Sequence, residues 1–380
     1  MLVGRQNIIN VAEILWSGKF GGAERHVFDI AKSLSKTNFK PVVCFLNDGD
    51  VYARLLKENG VEVKEFHLRS GYDIIGIIRF VRWLKRAKFD IVHDHISAPW
   101  TRLLVGLFLP SIPLVFTEHD GTIMKGISLK KYVETIVSLP FTSKYLTVSE
   151  SMREAVLNRI RISSTKLGII PNFVDSNRFS HFTARTKTTL CDELGISEKD
   201  EILITIGRLT QVKGFERLIS ILSPLFKIRN RLKLLIVGEG PLFEMLLQLI
   251  QKEDLSQRIL LLGGRRDIPE LLFCSDIFVS MSQIESFSIV VLEAMTARKA
   301  VIAPYNAAGV RDLIINNETG YLISENDFTK EFLNAIDHLL DNPGLREQMG
   351  EAGFKRAMML YEKSVVMPQI TSLYNTLHHS

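Results

Sequence analysis

The chain has 380 residues, 46% hydrophobic and 23% charged, with a formal net charge of +5, which excludes a fibrous or disordered chain and leaves room for two domains with large cores. Three scattered cysteines, Cys44, Cys191 and Cys274, form no CxxC pair, so a disulfide framework and a cysteine-based zinc site are both disfavoured and a reducing compartment fits. Neither a secretory signal at the start nor an apolar run of about 18 residues is read, so a cytoplasmic protein without a spanning helix is expected.

In chain order, strands are expected at Ile8–Leu15, Pro41–Leu46, Val61–Phe66, Asp90–His95, Leu114–Thr117, Lys144–Val148 and Leu167–Ile170. A second series follows at Glu201–Ile206, Leu232–Val237, Ile259–Leu262, Ile277–Ser280, Ala300–Ala303 and Gly320–Ile323. Most are β-branched or Leu-rich without alternation, the mark of strands buried on both faces. Helical stretches such as Ala23–Ser35, Phe215–Phe226 and Leu242–Glu253 lie between them. Repeated strand–helix units predict parallel sheets covered by helices. After Ile170 the polar, turn-rich segment PNFVDSNRFSHFTARTKTT marks a boundary. Both halves open alike, with a strand, a glycine-containing loop and a helix. The expected fold class is α/β, two Rossmann-like domains facing a central cleft, with ligands outside the carboxyl ends of the strands. The tail from Glu331 to His379 reads as helical, with bends at Pro343 and Pro368.

Gly21 and Gly22 in SGKFGGAER stand just before a helix, where missing side chains let backbone approach a ligand; alone, they are equally a plain turn. Asp48-Gly49-Asp50 is literally a DxD, but its place after the second strand suits a turn. The helix in YDIIGIIRFVRWLKRAKFD sets Ile74, Ile77, Ile78, Val81 and Leu84 on one face and Arg79, Arg82, Lys85, Arg86 and Lys88 elsewhere. Such a helix either packs on the sheet or lies on anionic lipid. His93 and His95 share a strand face but lack a visible partner set for zinc, so a structural role is expected. His119 ends the strand LVFTEH and so faces the cleft, as a ligand group or as a hydrogen-bonded structural histidine.

In the second half, GRLTQVKGF puts Arg208 at a strand end and Lys213 before a helix N-terminus. Guanidinium, ammonium and free helix N–H groups together suit an anion, although a solvated surface pair has the same spelling. In SQIESFSIVVLEAM, Glu285 and Glu293 are eight residues apart, roughly 12 Å at helical rise, about the reach from a hexose to a ribose across a diphosphate. The backbone N–H groups of Phe287, Ser288 and Ile289 fall between them. A carboxylate pair is weak evidence by itself and gains weight from GRL…KG 72 residues upstream.

The series GGAER, TEH, VSE, PNFVDSNRF, IGRLTQVKGFERLI, VGEGP, ESFSIVVLEAM and AAGVRDLI…TGYLI resembles the retaining GT-B glycosyltransferases of family 4, the group 1 glycosyl transferases, along nearly the whole chain. The resemblance implies transfer from a nucleotide-diphospho-sugar, UDP- or GDP-linked, to a glycan or lipid-linked acceptor in cell-surface polysaccharide or glycolipid synthesis. It implies no metal or other cofactor, and anomeric configuration kept. By it, Arg208 and Lys213 clamp the diphosphate, Glu285 holds sugar hydroxyls, Phe287, Ser288 and Ile289 meet sugar and phosphate through backbone, and Glu293 binds ribose. Gly21 and Gly22 close over the phosphate, His119 points at the transferred sugar, and Arg266 to Ile268 lie along the base. Residues 1–173 become the acceptor-side domain, with a helix at 365–380 packing back on it, and 174–364 the donor domain. Ser286 and Ser288 replace glycines common in relatives, which bears on donor identity, and Asp312 takes an acidic position usually held by glutamate. An anionic membrane surface at the cytoplasmic face is a candidate partner and nucleic acid is not. The alternatives are a nucleotide-sugar epimerase on the same fold and a non-catalytic nucleotide-sugar-binding subunit.

Overall fold

A computed structural model describes residues 8–19, 21–97, 100–180 and 182–379. The chain divides into two compact units, one holding the residues up to Asn172 together with those from Ser364 onward, the other Phe173–Lys363. The described residues form thirteen strands and fifteen α-helices.

The first unit alternates β1 (Ile9–Leu15), α1 (Gly22–Leu34), β2 (Phe39–Phe45), α2 (Asp50–Glu58), β3 (Glu62–Glu65), α3 (Ile74–Ala87) and β4 (Ile91–Ile96). It continues with α4 (Thr101–Phe108), β5 (Leu114–Glu118), α5 (Leu129–Ser138), β6 (Lys144–Thr147), α6 (Glu150–Leu157) and β7 (Leu167–Ile169). All seven strands are parallel, in the order β3-β2-β1-β4-β5-β6-β7. Strand order reverses between β1 and β4, the position where open α/β sheets carry their sites. Ile14, Phe80, Leu84 and Val92 form part of one core layer and Val27, Phe45 and Leu56 part of the other.

The second unit begins with α7 (Ala184–Leu194), then β8 (Glu201–Ile206), α8 (Phe215–Ile228), β9 (Leu232–Val237), α9 (Phe243–Lys252), β10 (Ile259–Leu261), α10 (Ile268–Cys274) and β11 (Ile277–Val279). There follow α11 (Ile289–Thr296), β12 (Ala300–Pro304), α12 (Ala308–Arg311), β13 (Gly320–Ile323), α13 (Phe328–Asp341) and α14 (Pro343–Tyr361). Its six parallel strands run β10-β9-β8-β11-β12-β13, reversing between β8 and β11. Leu218, Leu222, Leu234, Ile236, Phe332 and Ile336 are fully buried in its core, each contributing about 1.5–3 kcal/mol of transfer free energy.

The tail breaks as expected at Pro343, between α13 and α14, and departs from its expected shape at Pro368. Pro343 opens α14, where a missing N–H costs nothing. Pro368 lies inside the continuous helix α15 (Lys363–His378). The second break is Glu362, whose extended backbone lets Val174 bridge the two helices: the Val174 N–H donates to the Tyr361 carbonyl and the Lys363 N–H to the Val174 carbonyl, both at 2.9 Å. α15 then sends the buried Tyr374 against the sheet of the first unit.

Candidate functional site

In the second unit two loops meet at the reversal of strand order. β8 runs into Gly207–Arg208–Leu209, which is clamped by VGEGP: the Gly207 N–H donates to the Val237 carbonyl at 2.9 Å and the Leu209 N–H to the Glu239 carbonyl at 2.8 Å. Gly238 and Gly240 both have positive φ, and a Cβ at Gly238 would lie 1.9 Å from the Gly207 carbonyl oxygen, so only glycine permits the approach. Arg208 is thereby held on a fixed loop with its side chain exposed. The chain turns once through Gln211–Lys213 and enters α8 through Gly214, φ +69°, pressed against Met281.

β11 leads into the second loop. The Gln283 N–H donates to the Val212 carbonyl at 2.9 Å and the Gly309 N–H to the Glu285 carbonyl at 3.0 Å, tying that loop to the Lys213 turn and to α12. Lys213 Nζ meets Glu285 Oε1 at 2.6 Å, with Glu285 only 9% exposed. Glu293, inside α11 and equally buried, meets Arg178 Nη1 at 2.9 Å. α11 starts after Ser288, whose side chain makes no cap bond, and Phe287 is anchored edge-on against Tyr361. The structure therefore brings Lys213 and Glu285 into contact and sets Ser288 and Ile289 at the opening of α11. The exposed Arg266 and half-buried Ile268 follow β10 on another loop, where the neighbouring Arg265 is tied to Glu193 and Asp267. Asp312 accepts through its backbone carbonyl from Arg356 and Tyr361, a fixed corner after α12.

The first unit carries different chemistry at its own reversal. Gly21 is the extended cap of α1 and Gly22 its first residue. One turn on, the ring of His26 lies 5.6 Å from that of the half-buried His119, which follows β5. His119 Nε2 is 3.2 Å from His95 Nδ1, and His95 Nε2 is 2.8 Å from Glu13 Oε2. The Tyr374 hydroxyl donates to Glu13 Oε1 at 2.8 Å, and His93 bonds Tyr374 at 2.5 Å and Thr117 at 2.7 Å. Glu13, His93 and His95 are at most 2% exposed. Burial, reinforced by the neighbouring histidines, holds His26, His93 and His119 well below the usual imidazole range. Burial also pushes the Asp94 carboxyl up to about 6, although Arg102 and Ser97 pull it down.

His93 and His95 thus have partners that the sequence reading did not see. Among the described residues, Glu13, His93 and His95 could hold a metal ion, their ligand-type atoms lying within 4.8 Å of one another. Two histidines and a carboxylate match the protein ligands of an open zinc site, but the same atoms already hydrogen-bond to one another and to Tyr374. The signal for Glu13 was a carboxylate in the otherwise apolar strand INVAEIL; no local signal points to Tyr374, 281 residues from His93. Arg178, the partner of Glu293, was missed as well, although it stands in PNFVDSNRF.

Asp48-Gly49-Asp50 forms the β2–α2 turn, with the Gly18 N–H donating to the Asp48 carbonyl at 2.8 Å and the Gly49 N–H to Glu65 at 3.0 Å. α3 packs Ile77, Val81 and Leu84 into the core and leaves Ile74 exposed and Ile78 half-buried. Its apolar face is therefore mostly committed to the sheet, while Arg79, Arg82, Lys85, Arg86 and Lys88 are exposed. Among the described residues no helix is long and apolar enough to cross a membrane.

Two family models match, glycosyl transferases group 1 over residues 186–356 and glycosyltransferase family 4 over residues 20–178. The chain is 30% identical to the UDP-Gal:alpha-D-GlcNAc-diphosphoundecaprenol alpha-1,3-galactosyltransferase of Escherichia coli over 71% of each chain. It is 28% identical to the N-acetyl-alpha-D-glucosaminyl L-malate synthase of Bacillus anthracis, over 80% of this chain and 79% of that one. Among solved structures, HepE of Anabaena in complex with UDP and glucose superposes with a TM-score of 0.85 at 21% identity, covering 97% of this chain and all of that one. The shared fold is the GT-B architecture of two Rossmann-like domains.

Proposed function

The chain belongs to the group 1, family 4 glycosyltransferases, and from that premise we propose that it moves a sugar from a UDP- or GDP-sugar, held by the second unit, to a glycan or lipid-linked acceptor. The reading includes retention of anomeric configuration, no metal, and a place in cell-surface polysaccharide or glycolipid synthesis. The observation that carries it is the Lys213–Glu285 contact of 2.6 Å beside the exposed Arg208, at the strand-order reversal of the second unit.

Breaking the bond between the anomeric carbon and phosphate leaves an oxocarbenium-like sugar and builds negative charge on the diphosphate. Arg208, Lys213 and the N–H groups opening α11 meet that charge from fixed positions, so they stabilise the transition state without rearranging. Glu285 orients Lys213 with one oxygen and accepts from a sugar hydroxyl with the other. Glu293, held by Arg178, accepts from the ribose. His119, kept neutral, orients the transferred sugar. The galactosyltransferase relative names a lipid-linked acceptor. Exposed Tyr72, Ile75 and Leu129, near the basic face of α3 in sequence or on the α4–α5 side, support a similar acceptor class here.

The test is release of nucleoside diphosphate from UDP- and GDP-sugars with and without acceptor, with the anomeric configuration of the product read by NMR. Acceptor-dependent release with retention, unaffected by EDTA, is expected. Acceptor-independent release of free nucleotide would identify an epimerase, and binding without turnover a recognition subunit.

A further inference from the structure

With Glu13 a carboxylate and the three imidazoles neutral, the polar network at the reversal of strand order in the first unit has one consistent placement of its protons. A carboxylate only accepts hydrogen bonds, and a neutral imidazole donates from one nitrogen and accepts at the other. Glu13 receives the Tyr374 hydroxyl at Oε1 and faces His95 Nε2 at Oε2, so His95 carries its proton on Nε2. Its Nδ1 is then bare and accepts at 3.2 Å from His119, which must carry its proton on Nε2. On the other arm the hydroxyl proton of Tyr374 is already directed at Glu13. His93 therefore donates from Nδ1 to the Tyr374 oxygen and accepts the Thr117 hydroxyl at Nε2. Every proton then has an acceptor.

We propose that Glu13 and His95 are positioning residues that fix His119 as the Nε2–H tautomer and so leave its Nδ1 as an acceptor for a hydroxyl of the transferred sugar. The tautomer assignment follows from the geometry once the imidazoles are neutral; its link to catalysis rests on the proposed role of His119 in the glycosyl transfer. The burial of Glu13 and His95 gives the arrangement its force, because inverting the chain would leave a buried donor facing another donor. The strands supply the rigidity: Glu13, His95 and His119 come from or follow the neighbouring β1, β4 and β5.

Long-range proton–nitrogen correlation spectra of the ring-labelled full chain near neutral pH read the tautomers directly, with assignments from single His→Gln variants. Nε2–H is expected at His95 and His119, and Nδ1–H at His93. An imidazolium, or Nδ1–H, at His119 overturns the relay. Glu13→Gln adds a second measurement. Its amide NH2 must face either Tyr374 or His95, so either His93 or the His95–His119 pair must invert. Two unchanged arms in a folded variant would show that the carboxylate does not set them. The link to chemistry is read from kcat, which falls about tenfold or more when His119 inverts, with donor KM little changed. An inverted His119 with full kcat, or a lost kcat with His119 unaltered, overturns that link. If no sugar donor is turned over at all, the proposed function fails while the spectra still decide the relay.

Discussion

Both units place a polar site at the reversal of a parallel sheet, yet they solve opposite electrostatic problems. The second unit gathers formal charges, setting Arg208, Lys213 and Arg178, with access to solvent, against the buried Glu285 and Glu293. The first buries Glu13 and draws histidines and a tyrosine around it. Fold alone does not decide what a switch point does; the chemistry follows from the side chains on the loops and strand ends. A polyanion calls for exposed, preorganised cations, whereas orienting a neutral sugar calls for fixed donors and acceptors with little net charge.

The sharpest way to break this contrast is to remove the cations of the second unit. Arg208→Ala and Lys213→Ala should each lower turnover on the order of 100-fold or more, since their contacts strengthen as the leaving group ionises. Near-normal kcat in both would move the diphosphate elsewhere. Gly214→Ala tests the loop that carries Lys213. A Cβ there falls 2.6 Å from the Met281 carbonyl oxygen, at a φ that side chains rarely adopt. A loss of about 1–3 kcal/mol in a denaturant melt is expected, accompanied by reduced turnover.

The buried polarity of the first unit should show in pH dependence. Asp94 sits at about 6 in the folded protein, above an ordinary aspartate near 4. Folding therefore favours its protonated form, so this group's contribution to stability is present at low pH and lost as pH rises from about 4 through about 6. Comparing unfolding free energies of wild type and Asp94→Asn across that window isolates it; parallel curves would contradict the assignment. The smallest effect is expected at the surface. Arg79, Arg82 and Arg86 are exposed on α3, and changing all three to Ser should weaken sedimentation with anionic vesicles at low salt. Because α3 has already buried Ile77, Val81 and Leu84, that binding should be salt-sensitive and reversible. Wild-type protein that ignores anionic vesicles would favour a water-soluble acceptor.

The contrast also explains what was legible in the sequence. Strands such as Glu201–Ile206 and Leu232–Val237 coincide with their expected limits because a run buried on both faces ends where turn residues begin. The Lys213–Glu285 encounter could be anticipated because each residue stands in a short motif beside a helix start. The Glu13–His95–His119–Tyr374 network could not, since it joins three strand ends to a helix at the far end of the chain and has no local spelling. The break at Glu362 was hidden for the same reason: Val174, distant in sequence, satisfies its backbone. The amphipathic reading of α3 identified Ile77, Val81 and Leu84 as core residues but not the fully buried Phe80, and periodicity cannot tell a sheet from a lipid surface as the thing they pack against.

Amide hydrogen exchange of the full chain with and without saturating UDP- or GDP-sugar tests the central claim most directly. Protection is expected in the backbone around 207–214 and 283–293, where the loops after β8 and β11 hold Arg208, Lys213, Glu285 and the start of α11, and it should be lost in Lys213→Ala. Protection that bypasses both loops, or that survives unchanged in Lys213→Ala, would contradict the placement of the donor diphosphate in the second unit.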